Sequence, residues 1–251
     1  MTEGTDKGVD FGYRRVPPEE KTRLVGRVFD SVAGRYDLMN DLMSGGLHRF
    51  WKRYFVGTLG LRPDMRVLDL ASGTGDIAVL IGPKLGADGR LVASDINANM
   101  LSRGRDRLIN ANRAANADFV LADAECLPFP ASHFDRITIA FGLRNVTRRE
   151  RALRDMFRVL RPGGSANVLE FSRLRSGLLR PAYDFYSFQA LPRLGGMVAG
   201  DAESYRYLAE SIRRHPDQAA LASMMEQAGF ERVACRNLTG GVVAIHTGWK
   251  I

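Results

Sequence analysis

Short runs of apolar and β-branched residues recur along this chain, bounded by polar or glycine-containing segments and alternating with stretches of helical periodicity. Seven such runs predict strands: Arg66–Ala71, Leu91–Asp95, Phe119–Leu121, Arg136–Phe141, Ala166–Ser172, Val233–Leu238 and Val242–Thr247. The first five are expected to feed helices, the arrangement of a parallel sheet covered by helices. The last two are joined by Thr239-Gly240-Gly241, a tight-turn signal that predicts antiparallel pairing. The expected fold class is therefore α/β, with a mostly parallel seven-stranded sheet and an antiparallel last strand.

Two regions depart from the alternation. The first 60 residues are mostly helical in pattern, with helices over Arg23–Ala33 and His48–Leu59 and a turn at Gly45-Gly46. Residues 173–214 hold an aromatic-rich stretch, PAYDFYSFQALPRLGGM, ahead of a last crossover helix around Asp217–Ala228. We expect a helical lid over residues 1–60, a core over 61–251, and a substrate insertion over 173–214; aromatic packing in an ordinary core is the competing account of that stretch.

With 45% hydrophobic and 25% charged residues in 251, the composition is that of a packed domain and excludes a disordered chain. No apolar run approaches the ~20 residues of a membrane-spanning helix, and the first residues show no secretory pattern. A cytoplasmic location is the expectation. Cys126 and Cys235 stand far apart without CxxC spacing, which predicts reduced, buried thiols. His48, His133, His215 and His246 show no ligand spacing, so no metal is expected. The net charge of +8 suits an anionic partner, but 31 of the 36 basic residues are Arg, a skew that genome composition also produces.

The chemistry concentrates after the first strand, where Asp69-Leu70-Ala71-Ser72-Gly73-Thr74-Gly75-Asp76 turns into an apolar helix. Glycines there permit a tight turn and let a ligand approach main-chain N–H groups. Asp95 ends the second strand twenty residues after Gly75, where a carboxylate accepts both hydroxyls of a ribose. The third glycine of a dinucleotide loop is missing, with Ala78 in its place, so a nucleoside without phosphates fits better. Asp123-Ala124-Glu125 after the third strand suits an adenine, with the Asp123 carboxylate on its amino group and the Ala124 N–H on a ring nitrogen. Together these features resemble the Rossmann-like class I S-adenosylmethionine-dependent methyltransferases.

Further motifs narrow the resemblance. Tyr36-Asp37-Leu38-Met39-Asn40 through Ser44, followed by His48 and Trp51, is similar to the first signature of the UbiE-type C-methyltransferases of ubiquinone and menaquinone biosynthesis. A second signature lies in Arg158–Gly164 and Val168–Ser172, and the likeness extends through Phe141–Val146, Ser204–Leu208 and His215–Gln218 to nearly the whole chain. Two positions depart from the pattern: Ala140 where the family often has Ser, and Ser72 where Gly or Cys is common.

The resemblance implies S-adenosylmethionine as cofactor and methyl transfer to a ring carbon of a polyprenylated benzoquinol or demethylmenaquinol. It implies cofactor contacts at Tyr36, Gly73, Thr74, Gly75, Asp95, Asp123, Ala124 and, through its backbone, Ala140. Arg144 and Asn145 are the expected catalytic residues, the first by stabilising a phenolate, with pairing to Glu170 as the alternative. His48 is a candidate base, with an ordinary helix-start histidine as the alternative. A polyprenyl acceptor also implies contact with an anionic membrane surface, supplied by Arg173, Arg175, Arg180 and Arg193 around Tyr183–Phe188, and a homodimer or a quinone-biosynthesis assembly as partner state. Nucleic acid is not an expected partner, since the fourth strand runs into FGLRNV and not an NPPY-like turn. A soluble phenolic acceptor, RNA, and a noncatalytic nucleoside-binding protein remain the competing readings.

Overall fold

Seven strands form one sheet in a computed structural model that describes residues 8–174 and 202–251, with the side chains of residues 35–37 and 202 outside the description. A two-stranded hairpin, β1 (Val9–Phe11) and β2 (Arg14–Val16), precedes helix α1 (Pro18–Val32). The periodicity of the sequence gave no sign of this hairpin, because each strand is three residues long. Helices α2 (Tyr36–Ser44) and α3 (His48–Thr58) follow, joined through Gly45 and Gly46, both at positive φ. The sequence pattern missed α2.

The core then runs β3 (Arg66–Leu70), α4 (Asp76–Ile81), β4 (Arg90–Asp95), α5 (Ala98–Asn110), β5 (Ala117–Leu121), β6 (Phe134–Ala140), α6 (Arg149–Val159), β7 (Leu160–Phe171), α7 (Ala202–Arg214), α8 (Gln218–Gln227), β8 (Glu231–Leu238) and β9 (Val243–Trp249). All seven predicted core strands are present. One expectation is corrected: β5 feeds no helix, and residues 122–133 cross directly to β6 as a loop. Asp217 caps α8, its Oδ1 accepting from the Ala220 N–H at 3.0 Å.

The strand order is β5-β4-β3-β6-β7-β9-β8, with β9 antiparallel to both neighbours and the other pairings parallel. Alternation along β3 explains why the strand is apolar on both faces: Val67 joins one buried cluster, and Leu68 and Leu70 join another on the opposite side. The chain leaves β3 toward β4 on one side and later returns to β6 on the other. The order thus reverses between β3 and β6, and open α/β sheets bind ligands beyond the carboxyl ends of the strands at such a point.

Backbone strain collects there. Ala71 follows β3 at φ 48°, and Phe141 follows β6 at φ 56°, both left-handed without being glycine. A second correction concerns the cysteines, since Cys126 and Cys235 are both exposed. Cys126 lies in the β5–β6 loop and Cys235 on the edge strand β8. Among the described residues no helix is long and apolar enough to cross a membrane. Of the predicted membrane-facing cluster, Arg175, Arg180, Arg193 and Tyr183–Phe188 lie outside the described residues, as does most of the predicted insertion.

Candidate active site

The loop after β3 is shaped by three left-handed residues, Ala71, Gly73 (φ 57°) and Gly75 (φ 80°), the last of which opens α4. Asp95 ties this loop to β4: its Oδ2 accepts from the Gly73 N–H and its Oδ1 from the Asn97 N–H, each at 2.8 Å. Asp95 is 9% exposed, and burial pushes its pKa upward against the pull of these backbone donors. Asn97 in turn caps α5 by accepting from the Met100 N–H at 3.0 Å.

These groups face a cleft at the switch point. Asp123, Ala124 and Glu125 line it, as do Phe141, Gly142, Asn145 and Val146 after β6 and Val25, Gly26 and Phe29 of α1. Asp123 stabilises its own turn, taking the Glu125 N–H on Oδ1 at 2.9 Å. Helix α1 is pinned over the cleft at both ends. Asn97 and Asn99 each donate to Asp30 Oδ1 at 2.9 Å, and the buried Lys21 ammonium donates to the Val146 carbonyl at 3.2 Å. Burial, with Arg149 adding repulsion, lowers the Lys21 pKa to about 8.

The sequence-predicted residues divide into groups. Gly73, Asp95, Asp123, Ala124 and Asn145 converge on the cleft. Thr74 and Ala140 line a smaller cavity beyond the loop, together with Lys52, Asp69, Ser72 and Asp76. Gly75 is needed for packing, since a β-carbon there would stand 2.8 Å from Leu108 Cδ1. Tyr36 opens α2, and its side chain falls outside the description.

Arg144 and His48 are placed away from the cleft lining. Arg144 is 3% exposed, with Nη1 donating to Glu170 Oε1 at 2.8 Å and to the Phe141 carbonyl at 2.5 Å. Its backbone N–H reaches Glu170 Oε2 at 3.2 Å. The pairing with Glu170 is thus what this arginine makes, and it holds the turn that presents Asn145. Tyr207 fixes Asn145 further by donating its hydroxyl to Oδ1 at 3.1 Å. His48 begins α3, its Nε2 3.0 Å from Asp41 Oδ1, and burial followed by the Lys52 charge lowers its pKa.

The profile of the ubiE/COQ5 methyltransferase family matches residues 17–250. This chain belongs to that family. A relative from Xanthomonas campestris pv. campestris, named ubiquinone/menaquinone biosynthesis C-methyltransferase UbiE, is 59% identical over 241 residues, covering 96% of this chain and 95% of its own. One of the same name from Xylella fastidiosa strain M23 is 58% identical over 252 residues and covers both chains fully. Among solved structures, a SAM dependent methyltransferase from Aquifex aeolicus has a TM-score of 0.61 at 14% identity, covering 94% of this chain and 100% of its own. A possible histamine N-methyltransferase from Thermotoga maritima has a TM-score of 0.63 at 19% identity, covering 90% and 100%. These two likenesses bear on the fold, which is that of a class I methyltransferase.

Several residues at this methyltransferase site carry no motif signal. Gly104, in the middle of α5, faces the loop, where a β-carbon would meet the Gly73 carbonyl oxygen at 2.7 Å. A mid-helix glycine is the trace it leaves in sequence. Asp69, fully buried at the end of β3, accepts from Ser72 Oγ and Thr138 Oγ1, each at 2.7 Å, and burial raises its pKa to about 6.

Proposed function

We propose that this chain is the C-methyltransferase of ubiquinone and menaquinone biosynthesis, using S-adenosylmethionine to methylate a ring carbon of a polyprenylated quinol. The observation that carries the reading is the identity of 58–59% to relatives named for that reaction, across nearly the whole of both chains. Such coverage favours a quinol over a soluble phenolic acceptor or RNA.

The residues present fit the cofactor. A buried carboxylate with lone pairs to spare stands at the ribose position in Asp95, Asp123 and the Ala124 N–H suit the adenine, and the buried Thr74 hydroxyl has no partner in the adjoining cavity. When bound, the sulfonium group supplies an electrophilic methyl and departs as a neutral thioether. What remains for the protein is orientation and exclusion of water. Phe29, Val25, Met100 and Val146 give the cleft apolar walls, which keep water from the reacting carbon.

Asn145 is the polar group best placed for a quinol oxygen. Its Oδ1 is occupied by Tyr207, which leaves the amide nitrogen to donate to a developing phenolate. Arg144 acts behind it as a positioning residue through Glu170 and the Phe141 carbonyl. Methylation of a phenolate's ring carbon gives a neutral dienone, which returns to an aromatic quinol when the proton of that carbon passes to solvent and the ring oxygen takes one back, as the product leaves the cleft. The polyprenyl tail keeps the acceptor in a bilayer, so the protein works at a membrane surface; salt-dependent binding to anionic over neutral liposomes is the expected sign.

The decisive experiment is analysis of lipid extracts from a strain lacking the gene. A quinone lighter by one methyl group is expected, and its ring mass identifies the acceptor. An unchanged quinone pool overturns the proposal.

A further inference from the structure

Helix α3 divides its side chains between two faces. His48, Trp51, Lys52, Phe55 and Val56 point inward and are buried. At about 3.6 residues per turn, Phe50 falls opposite that stripe, and it is 60% exposed. Leu47, one turn before it, is 44% exposed, and Tyr54, one turn after it, stacks on Phe50 with ring centroids 6.3 Å apart. An apolar crest on the solvent side adds nothing to the packing of the chain. It marks a contact surface.

The charge around this crest is basic. Between His48 and Thr58 there is no acidic residue. Arg53 is exposed on one flank of Phe50. On the other flank, Arg236 of the edge strand β8 donates from Nη1 to the Tyr54 hydroxyl at 2.6 Å and lies 6.0 Å from the centroid of that ring. Arg49 also faces outward, and it neutralises Asp41 by donating from Nη1 and Nη2 at 2.6 and 2.8 Å. Aromatic and aliphatic side chains between arginines are what a helix presents when it lies in a bilayer interface, with its crest among acyl chains and its guanidinium groups at the phosphates. A protein partner would need acidic groups set around an apolar pocket to match this pattern. An anionic leaflet offers both over its whole area.

The helix also stands close to the cleft. Trp51, on its inner face, lies 6.3 Å from the Phe141 ring, centroid to centroid, and Phe141 lines the cleft. One helix diameter, about 10 Å, therefore separates the crest from the cleft wall.

We propose that the outer face of α3, formed by Leu47, Phe50 and Tyr54 with Arg53 and Arg236, is the surface by which this protein docks on an anionic bilayer. This rests on the reading of the acceptor as a polyprenylated quinol held in that bilayer. Docking there brings the leaflet to the Phe141 side of the cleft.

Flotation of the full chain with vesicles of phosphatidylcholine mixed with phosphatidylglycerol, and with vesicles of phosphatidylcholine alone, tests this. The wild type is expected on the mixed vesicles, more at low salt than at high. Phe50→Ser should lower its partition by about 5- to 20-fold at every salt concentration, the worth of a part-exposed aromatic side chain taken out of water, and Phe50→Trp should keep it. Arg53→Gln with Arg236→Gln should lower partition by about 5- to 30-fold at low salt and by far less at high salt. These side chains are exposed, so melting temperature and affinity for S-adenosylhomocysteine should stay close to wild type. Undiminished flotation of a folded Phe50→Ser overturns the proposal and leaves the quinol reading standing. Loss of self-association in Phe50→Ser by sedimentation, with flotation unchanged, overturns it in favour of a second copy of this chain as the occupant. A wild type that floats with neither kind of vesicle overturns it together with the membrane contact expected of a polyprenyl acceptor, while the lipid extracts still decide the acceptor itself.

Discussion

Gly104 on α5 faces Gly73 in the loop so closely that a β-carbon at position 104 would stand 2.7 Å from the Gly73 carbonyl oxygen and 3.2 Å from the Gly75 nitrogen. Both obstacles are backbone, so neither can swing aside. The loop that presents the Gly73 N–H to Asp95 therefore keeps its place only while α5 carries no side chain there. Gly104→Ala should push the loop away from Asp95 and cost about 1–3 kcal/mol of stability, as overpacking does. Binding of S-adenosylhomocysteine should fall with it. A variant that melts and binds like the wild type would show that the loop yields freely.

Asp95 has two tasks, and substitution can separate them. Its Oδ2 anchors the loop and its Oδ1 anchors the start of α5, while lone pairs remain for ribose hydroxyls. Asp95→Asn keeps an acceptor for one backbone N–H and loses the charge. It should weaken nucleoside binding by roughly 1–3 kcal/mol, with a smaller effect on melting temperature. Titration with S-adenosylhomocysteine alongside thermal melting tests this, and affinity within twofold of wild type would remove Asp95 from the ribose.

The Arg144–Glu170 pair gives a different signature. Both side chains are almost fully buried, at 3% and 1% exposed. Removing one partner strands a charge in the interior, which costs about 3–5 kcal/mol, whereas replacing both with apolar groups of similar volume costs far less. Glu170→Leu should thus be severely destabilised, and Arg144→Met with Glu170→Leu should recover much of the loss in a denaturant titration. The double variant should still bind S-adenosylhomocysteine while turnover falls, because Asn145 loses the turn that presents it. Full turnover in that folded double variant would end the positioning role.

Much of the fold was legible because β3, β4, β6 and β7 are buried on both faces and therefore read as apolar runs at regular spacing. That Asp95, Gly73 and Asp123 line one cleft follows for a related reason: parallel strands deliver the residues at their carboxyl ends to the same edge of the sheet. The β1–β2 hairpin is too short to show a period of two. Lys52 left no signal either, since a lysine on an amphipathic helix looks solvent-facing until α3 is seen packed over α4. Arg144 was placed on the right loop, but sequence spacing does not say whether a guanidinium turns toward the cleft or back toward Glu170.

Asp69 offers a test by pH alone. Its carboxyl is fully buried, and desolvation outweighs the Ser72 and Thr138 hydrogen bonds, so its pKa rises to about 6 from an unfolded value near 3.8, with Asp95 and Asp76 adding repulsion. Between those two values the folded chain holds this proton and the unfolded chain does not. Stability from this group is therefore greatest at low pH and is lost as pH rises through about 4 to 6, amounting to roughly 2–3 kcal/mol once the group is ionised. Asp69→Asn cannot ionise, and its amide can still serve both hydroxyls. It should be more stable than the wild type at pH 7.5 and show a flatter pH dependence between 4 and 6.5; Asp95, shifted in the same direction, leaves part of the slope. Parallel pH profiles of melting for the two proteins would show that Asp69 stays in one protonation state throughout.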